Sequence, residues 1–336
     1  MISYLLSILT LVAIAGIAAL ALSLQWGLTG LVNFGLFGFY MLGAYIAGML
    51  VHAGGDPWVG LLAAALGTAV LSAVVSLVSL RLAQDYLAIV TLGFAECLKL
   101  FVIHEQDWTR GSLGIAGIAR PVAGNSGFLV LCLTLLALVF LVFQRVTRSP
   151  FGRAARGLRD DPLVAATLGK NVLAFRVRLF ALGGAAVGLA GALHAYYYQY
   201  IDPTQFGPII TAYAFMAVIL GGRGSHAGVL ASAFTVVLLL EATRFLDDYV
   251  PGLSAAQIAA LRLMLIGAIL IAVLIFRPQG WFRPWRYVAG AAPQAAAGDS
   301  EVEVAASRAA VGGSGVEIAA PQAKAGGIRA SVPGAR

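Results

Sequence analysis

Ser225 and His226 stand side by side in the run Gly222-Arg223-Gly224-Ser225-His226, the one place where a serine adjoins a histidine. Neighbouring residues of a helix point apart, so this imidazole could not activate this hydroxyl, and a glycine-rich turn accounts for the run without catalysis. His52, His104 and His194 are scattered near the ends of apolar stretches, and no HExxH or carboxylate-rich metal pattern appears. Cys97 and Cys132 both lie within apolar runs and support neither a disulfide framework nor zinc spacing. The phosphate-binding pattern GxxxxGK[ST] is absent, so nucleotide hydrolysis must come from elsewhere. These residues predict a non-enzyme that binds no cofactor or metal of its own.

Polar groups inside apolar stretches are the next candidates, because each is costly in lipid and normally faces a bundle interior or a water path. Thr91, Ala95, Glu96 and Lys99 fall within one helical arc, and Glu96 and Lys99, three residues apart, could pair. They read either as a substrate or proton site or as a self-neutralising structural pair. Asn33 and Tyr40, seven residues apart, would share a helix face amid Gly30, Gly35, Gly38, Gly43 and Gly48. Glycine at that density serves close helix packing or a broken, path-lining helix. Glu241 and Arg244 read as lip charges that can snorkel, as does Arg262.

The longest polar interruption before the tail, 144–178, holds Arg145, Arg148, Arg153, Arg156, Arg159, Lys170, Arg176 and Arg178 against Asp160 and Asp161. Ser149 followed by Pro150 predicts a capped helix start. Phe151, Ala154, Ala155 and Leu158 then form a stripe about 100° wide, with Arg153, Arg156 and Arg159 on the other side. Asp161-Pro162 repeats the start, and Gly169 after Leu168 supplies the stop. Two short amphipathic helices follow from this spacing. They would lie on anionic lipid or dock into a cytoplasmic partner, and Gly152, Ala154 and Ala155 suit the close approach of a protein.

The elements that position these groups follow from composition. Of 336 residues, 60% are hydrophobic and 11% charged, and the mean hydropathy is +0.90. Soluble domains carry about 25% charged residues, so a soluble globule is excluded, and the length of the apolar runs argues against a β-barrel. The expectation is an all-α polytopic membrane protein with about nine spans, in a range of about eight to ten. They fall near 4–24, 29–51, 58–80, 86–103, 127–143, 179–200, 208–222, 226–243 and 258–276. Breaks are expected at Gln25-Trp26-Gly27 and at His52–Pro57. Met1-Ile2-Ser3-Tyr4 lacks the positive start of a secretory signal and reads as part of the first span.

The net charge of +7 invites a nucleic-acid reading. The bases, however, sit mostly in one loop and at span ends, where orientation explains them. With that loop cytoplasmic, Arg81, Arg223 and Arg277/Arg283/Arg286 share its side, the N-terminus lies outside and the C-terminus inside. Trp281, Trp285 and Tyr287 would anchor the last span at the interface. The sequence thus divides into a membrane-spanning region, 1–286, and an Ala/Gly-rich tail, 287–336, expected to be disordered and cytoplasmic.

Several segments, in order, resemble LivM-type permeases, the membrane subunits of branched-chain amino-acid ABC importers. They are Gly27-Leu28-Thr29-Gly30-Leu31-Val32-Asn33-Phe34-Gly35 with Gly43-Ala44-Tyr45, and Asp85-Tyr86-Leu87-Ala88-Ile89-Val90-Thr91-Leu92-Gly93-Phe94-Ala95-Glu96. Further on come Ser149-Pro150-Phe151-Gly152-Arg153-Ala154 through Asp160-Asp161-Pro162 to Leu168-Gly169, then Leu220-Gly221-Gly222-Arg223-Gly224-Ser225 with Gly228, and Phe276-Arg277-Pro278-Gln279-Gly280. The resemblance covers about residues 4–281. It implies a type II ABC importer-like bundle in a bacterial cytoplasmic membrane, paired with a LivH-type second permease, two ATP-using cytoplasmic ATPases and a substrate-binding protein. It also implies that Ser149–Gly169 is the coupling region seated on an ATPase. Many relatives of this type carry one further N-terminal span. A self-sufficient transporter using Glu96 as a proton site is the competing expectation.

Overall fold

A computed structural model describes residues 2–79, 84–222 and 224–242, with single helical positions between Gln257 and Ile271. In chain order the elements are α1 (Ile2–Thr29), α2 (Leu36–His52), α3 (Pro57–Ser79), α4 (Gln84–His104), α5 (Gln106–Thr109), β1 (Ile115–Ala116) and α6 (Asn125–Arg148). Then come α7 (Pro150–Asp160), α8 (Pro162–Thr167), α9 (Val172–Tyr198), β2 (Tyr200–Ile201), α10 (Pro208–Gly221) and α11 (His226–Ala242). Among the described residues, 6 helical segments are long and apolar enough to cross a membrane, and α2 and α11 are shorter apolar helices. The expected ninth span, Arg81, Arg223, Arg244, Arg262, the aromatic anchor and the tail fall outside the described residues, save for single helical positions in that span.

Three boundaries differ from expectation for physical reasons. Helix α1 runs through Gln25-Trp26-Gly27 to Thr29, because no residue there breaks a helix and a backbone at membrane depth must keep its hydrogen bonds. It ends instead at Gly30, whose φ of 74° only glycine adopts freely. The second span therefore begins at Leu36, so Asn33 precedes α2 and does not share its face with Tyr40. Asn171 caps α9 by accepting from the Ala174 amide at 3.0 Å, which draws Arg176 and Arg178 out of the loop and into the helix.

Helix α9 is the centre of the bundle and packs on α1, α2 and α3. Its glycines make this approach possible. A Cβ at Gly188 would overlap Thr68, and one at Gly191 would overlap the Tyr40 carbonyl. The outer faces stay apolar: Leu62, Leu66, Val70 and Val74 make an exposed i, i+4 row along α3, as a lipid-facing surface requires.

Helices α6 and α9 each join the two ends of the bundle. At one end β1 pairs antiparallel with β2, Ile115 opposite Ile201; β1 lies between the expected fourth and fifth spans, and β2 begins at Tyr200, the expected last residue of the sixth. There the Arg120 guanidinium donates to the carbonyls of Tyr196 at 2.9 Å and Tyr197 at 2.7 Å. It thus satisfies orphan acceptors at the C-terminus of α9, where a cation is also favoured by the helix dipole. At the other end stand α7 and α8.

Candidate functional site

The α7–α8 bracket is built as its residues dictate. Ser149 Oγ accepts from the Gly152 amide at 3.2 Å, and Asp161 accepts from the Leu163 and Val164 amides at 2.9 and 3.0 Å. Pro150 and Pro162 hold the first helical positions. Gly169, at φ 73°, closes α8 with the paired bonds of a Schellman turn, its own amide to Ala166 and that of Lys170 to Ala165.

The apolar stripe of α7 faces the helical bundle of its own chain. Phe151 stacks on Phe175 of α9, with ring centroids 4.7 Å apart, and Gly152, Ala155 and Leu158 are buried, with Ala154 half-buried. A Cβ at Gly152 would overlap the Val146 and Thr147 carbonyls, so the bracket turns tightly off α6. Arg153 and Asp160 are exposed. Arg159, expected on the outer side, folds inward and donates to the Gly27 carbonyl at 2.8 Å. The negative end of α1 attracts it there. Outward-facing apolar residues sit instead on α8 and its C-cap: Leu163 and the capping Leu168 are 76% and 73% exposed, and Val164 is exposed beside Leu163.

Beside the bracket lies the break between α1 and α2. Asn33, fully buried, donates to Gln25 Oε1 at 3.0 Å, and Gln25 donates onward to the Phe180 carbonyl at 3.3 Å. Thr211 of α10 caps the start of α2 by accepting from the Phe37 amide at 3.0 Å. Thr91 packs on Gly35, where a Cβ would overlap its carbonyl, and Gly43 meets Gly188 in the same manner. Asn33, Thr91 and Gly43 thus belong to a polar knot and to close packing.

A cavity of about 260 Å³ opens among α1, α2, α9, α10 and α11. Apolar side chains such as Ile14, Ala217 and Val236 form its walls, and its polar groups come from Tyr40, His194, Tyr198, Tyr213 and Glu241. His194 rests edge-on against Tyr40 with centroids 5.4 Å apart and lies 4.6 Å from Tyr198. Tyr4 donates to Glu241 Oε2 at 3.0 Å. An apolar chamber with few polar groups suits weak holding and release of an aliphatic solute. Of the path residues expected from sequence, only Tyr40 lines it. Glu96 and Lys99 are half-buried on α4, no ion pair joins them among the described residues, and Lys99 Nζ lies toward Gly207 at the start of α10. The sequence reading missed His194, Tyr198 and Tyr213 as cavity residues; the i, i+4 spacing of His194 and Tyr198 was the available signal.

Gly221, Gly222 and Gly224 form the α10–α11 turn. Gly222 and Gly224 have φ of 87° and 89°, and Gly221 lies so close to Gly228 that a Cβ would not fit comfortably between the helices. Ser225 accepts from the Gly228 amide at 3.2 Å, while His226 Nε2 meets Thr147 Oγ1 at 2.8 Å. The two act apart, as their adjacency requires.

Residues 4–274 match the family described as the permease component of branched-chain amino acid transport systems. The chain belongs to this permease family. It is 31% identical to the LivM permease protein of the high-affinity branched-chain amino acid transport system of Escherichia coli K12, over 81% of this chain and 68% of that one. A probable LivM of Methanocaldococcus jannaschii is 27% identical, over 79% of this chain and 89% of its own. The LivH permease of the same Escherichia coli system is also similar, at 27% identity over 66% of this chain and 79% of that protein. As a permease component the chain is a multi-pass membrane protein, and its relatives are transport subunits rather than enzymes.

Proposed function

We propose that this chain is the membrane-spanning subunit of an ATP-driven importer that moves branched-chain amino acids by alternating access. The bracket carries the reading. It is fastened to the bundle through Phe151, Leu158 and Arg159, while α8 turns Leu163, Val164 and Leu168 outward. That arrangement suits a rigid element pressed by another polypeptide, and Ser149–Gly169 is assigned as the seat of a cytoplasmic ATPase. Two such ATPases would supply the energy, this chain binding no nucleotide, and a substrate-binding protein would deliver solute at the β1–β2 end.

Similarity to both LivM and LivH of one organism supports pairing with a homologous LivH-type permease. The concentration of arginine around the bracket supports a bacterial cytoplasmic membrane topology with that end inside, the N-terminus outside and the C-terminus cytoplasmic. A ninth span would complete this topology. The proton-coupled alternative is not favoured, because α4, which carries Glu96, contributes no residue to the cavity.

The test is reconstitution with the two ATPases and the second permease. Replacing Arg153 and Arg156 with Glu is expected to abolish uptake while leaving ATP hydrolysis running. Normal uptake by that variant, or nucleotide-independent accumulation by the lone chain, would overturn the reading. Competition for uptake across amino acids and short amides defines the solute.

A further inference from the structure

Helix α4 packs chiefly on α2 and leaves its other side uncovered. Ile89, Gly93, Glu96 and Leu100, at i, i+4, i+7 and i+11, share one face of it. Ile89 and Leu100 are 68% and 53% exposed, Gly93 is exposed, and Glu96 is half-buried beside them. We infer that this face of α4 is the surface on which the homologous LivH-type permease packs, which rests on the pairing already proposed.

Glu96 stands close to the middle of the 21 residues of α4, about 12 Å along the axis from the nearer helix end. A glutamate side chain is too short to carry its charge that far to the membrane surface. Among the described residues neither a hydrogen bond nor an ion pair reaches it, and Lys99 Nζ lies instead toward Gly207 at the start of α10. Hydrocarbon offers a carboxylate neither a donor nor a cation, so a face bearing one at this depth is covered by protein rather than by lipid. Gly93 points the same way independently. Nothing lies within 4 Å of the position its Cβ would take, so the backbone in the centre of the face is open to the close approach of another helix. The exposed row on α3, Leu62, Leu66, Val70 and Val74, is apolar throughout and provides the contrast of a lipid-facing surface. The likeness of this chain to both LivM and LivH of one organism supports a homologous permease as the occupant. Its contribution opposite Glu96 would be a cation or a hydrogen-bond donor.

The test is photo-crosslinking in the purified permease pair, with p-benzoylphenylalanine in place of Ile89, Leu100 or, on α3, Leu66, and adducts identified by mass spectrometry. The probes at Ile89 and Leu100 should capture the second permease, and the probe at Leu66 should not. Glu96→Leu should lower recovery of the second permease at least about tenfold without lowering Tm of the lone full chain, and Glu96→Gln should restore part of the recovery. Should E96L aggregate on size exclusion, the two α4 probes decide. Adducts from Ile89 and Leu100 only to lipid or to this chain's own residues 258–276, or equal capture from Leu66, would overturn the surface while the pairing stands. If no second permease co-purifies with the wild-type chain, the pairing itself fails and takes the surface with it.

Discussion

Arg159 fastens one end of the bundle, and Asp202 holds a local turn at the other. The Arg159 guanidinium takes a carbonyl at the end of α1 that no helical amide can reach, at 2.8 Å. Arg159→Gln is expected to lower stability by about 1–2 kcal/mol, measured as a drop in Tm of the purified chain. Arg159→Lys should recover only part of it, lacking the planar fork. Asp202 accepts from the Thr204 and Gln205 amides and from the Gln205 side chain. Burial pushes its carboxyl up, but the bonds from Thr204 and Gln205 outweigh this and hold it below its ordinary value of 3.8. Its contribution is thus complete above the unfolded carboxylate value and is lost as pH falls through the lower folded one. Across a Tm–pH profile, Asp202→Asn should remove that acid-side decline, and an unchanged profile would count against the assignment.

Among the elements, α9 depends on the small residues that let three helices lie against it. Gly188→Ala should sharply reduce folded protein, because the added methyl meets Thr68 and the Ala64 carbonyl. Thr68→Ala relieves part of the overlap, so the double variant should recover yield relative to Gly188→Ala alone in a fluorescence size-exclusion assay. The bracket offers a contrast, since its α8 face is not packed on the bundle. Leu163→Glu with Leu168→Glu should therefore leave stability within about 0.5 kcal/mol of wild type, while co-purification of the proposed ATPases is lost.

The sequence reading recognised the bracket for a local reason: Ser149-Pro150, Asp161-Pro162 and Gly169 act through bonds within a few residues. It could not place Arg159, whose partner Gly27 is remote in sequence, nor the Asn33–Gln25 knot, which exists only because α1 overruns its expected end. The cavity was illegible because its wall is gathered from five helices remote in sequence, mostly as unremarked apolar residues of α1, α10 and α11, and of its lining only Tyr40 had been read as a path residue. The β1–β2 pair was hidden because two-residue strands carry no periodicity.

For the whole molecule, the arrangement separates a mechanical end from a chamber. Filling the chamber tests this division: Ala217→Phe should cut uptake about tenfold or more while assembly with partner subunits persists, checked by transport and pull-down on the same preparation. Helix α1 spans that separation. It is a continuous rod of 28 residues, about 42 Å long. The bracket's arginine grips one end, and Leu11, Ile14, Ala15 and Ala18 further along it form part of the chamber wall. Thrust applied at the grip would reach that wall along an axle without a joint, whereas α2, which starts at Leu36 beyond the break at Gly30, would receive it through a slack coupling. One signal would therefore arrive at two successive helices of the chamber wall with different stiffness, shearing the chamber rather than translating it.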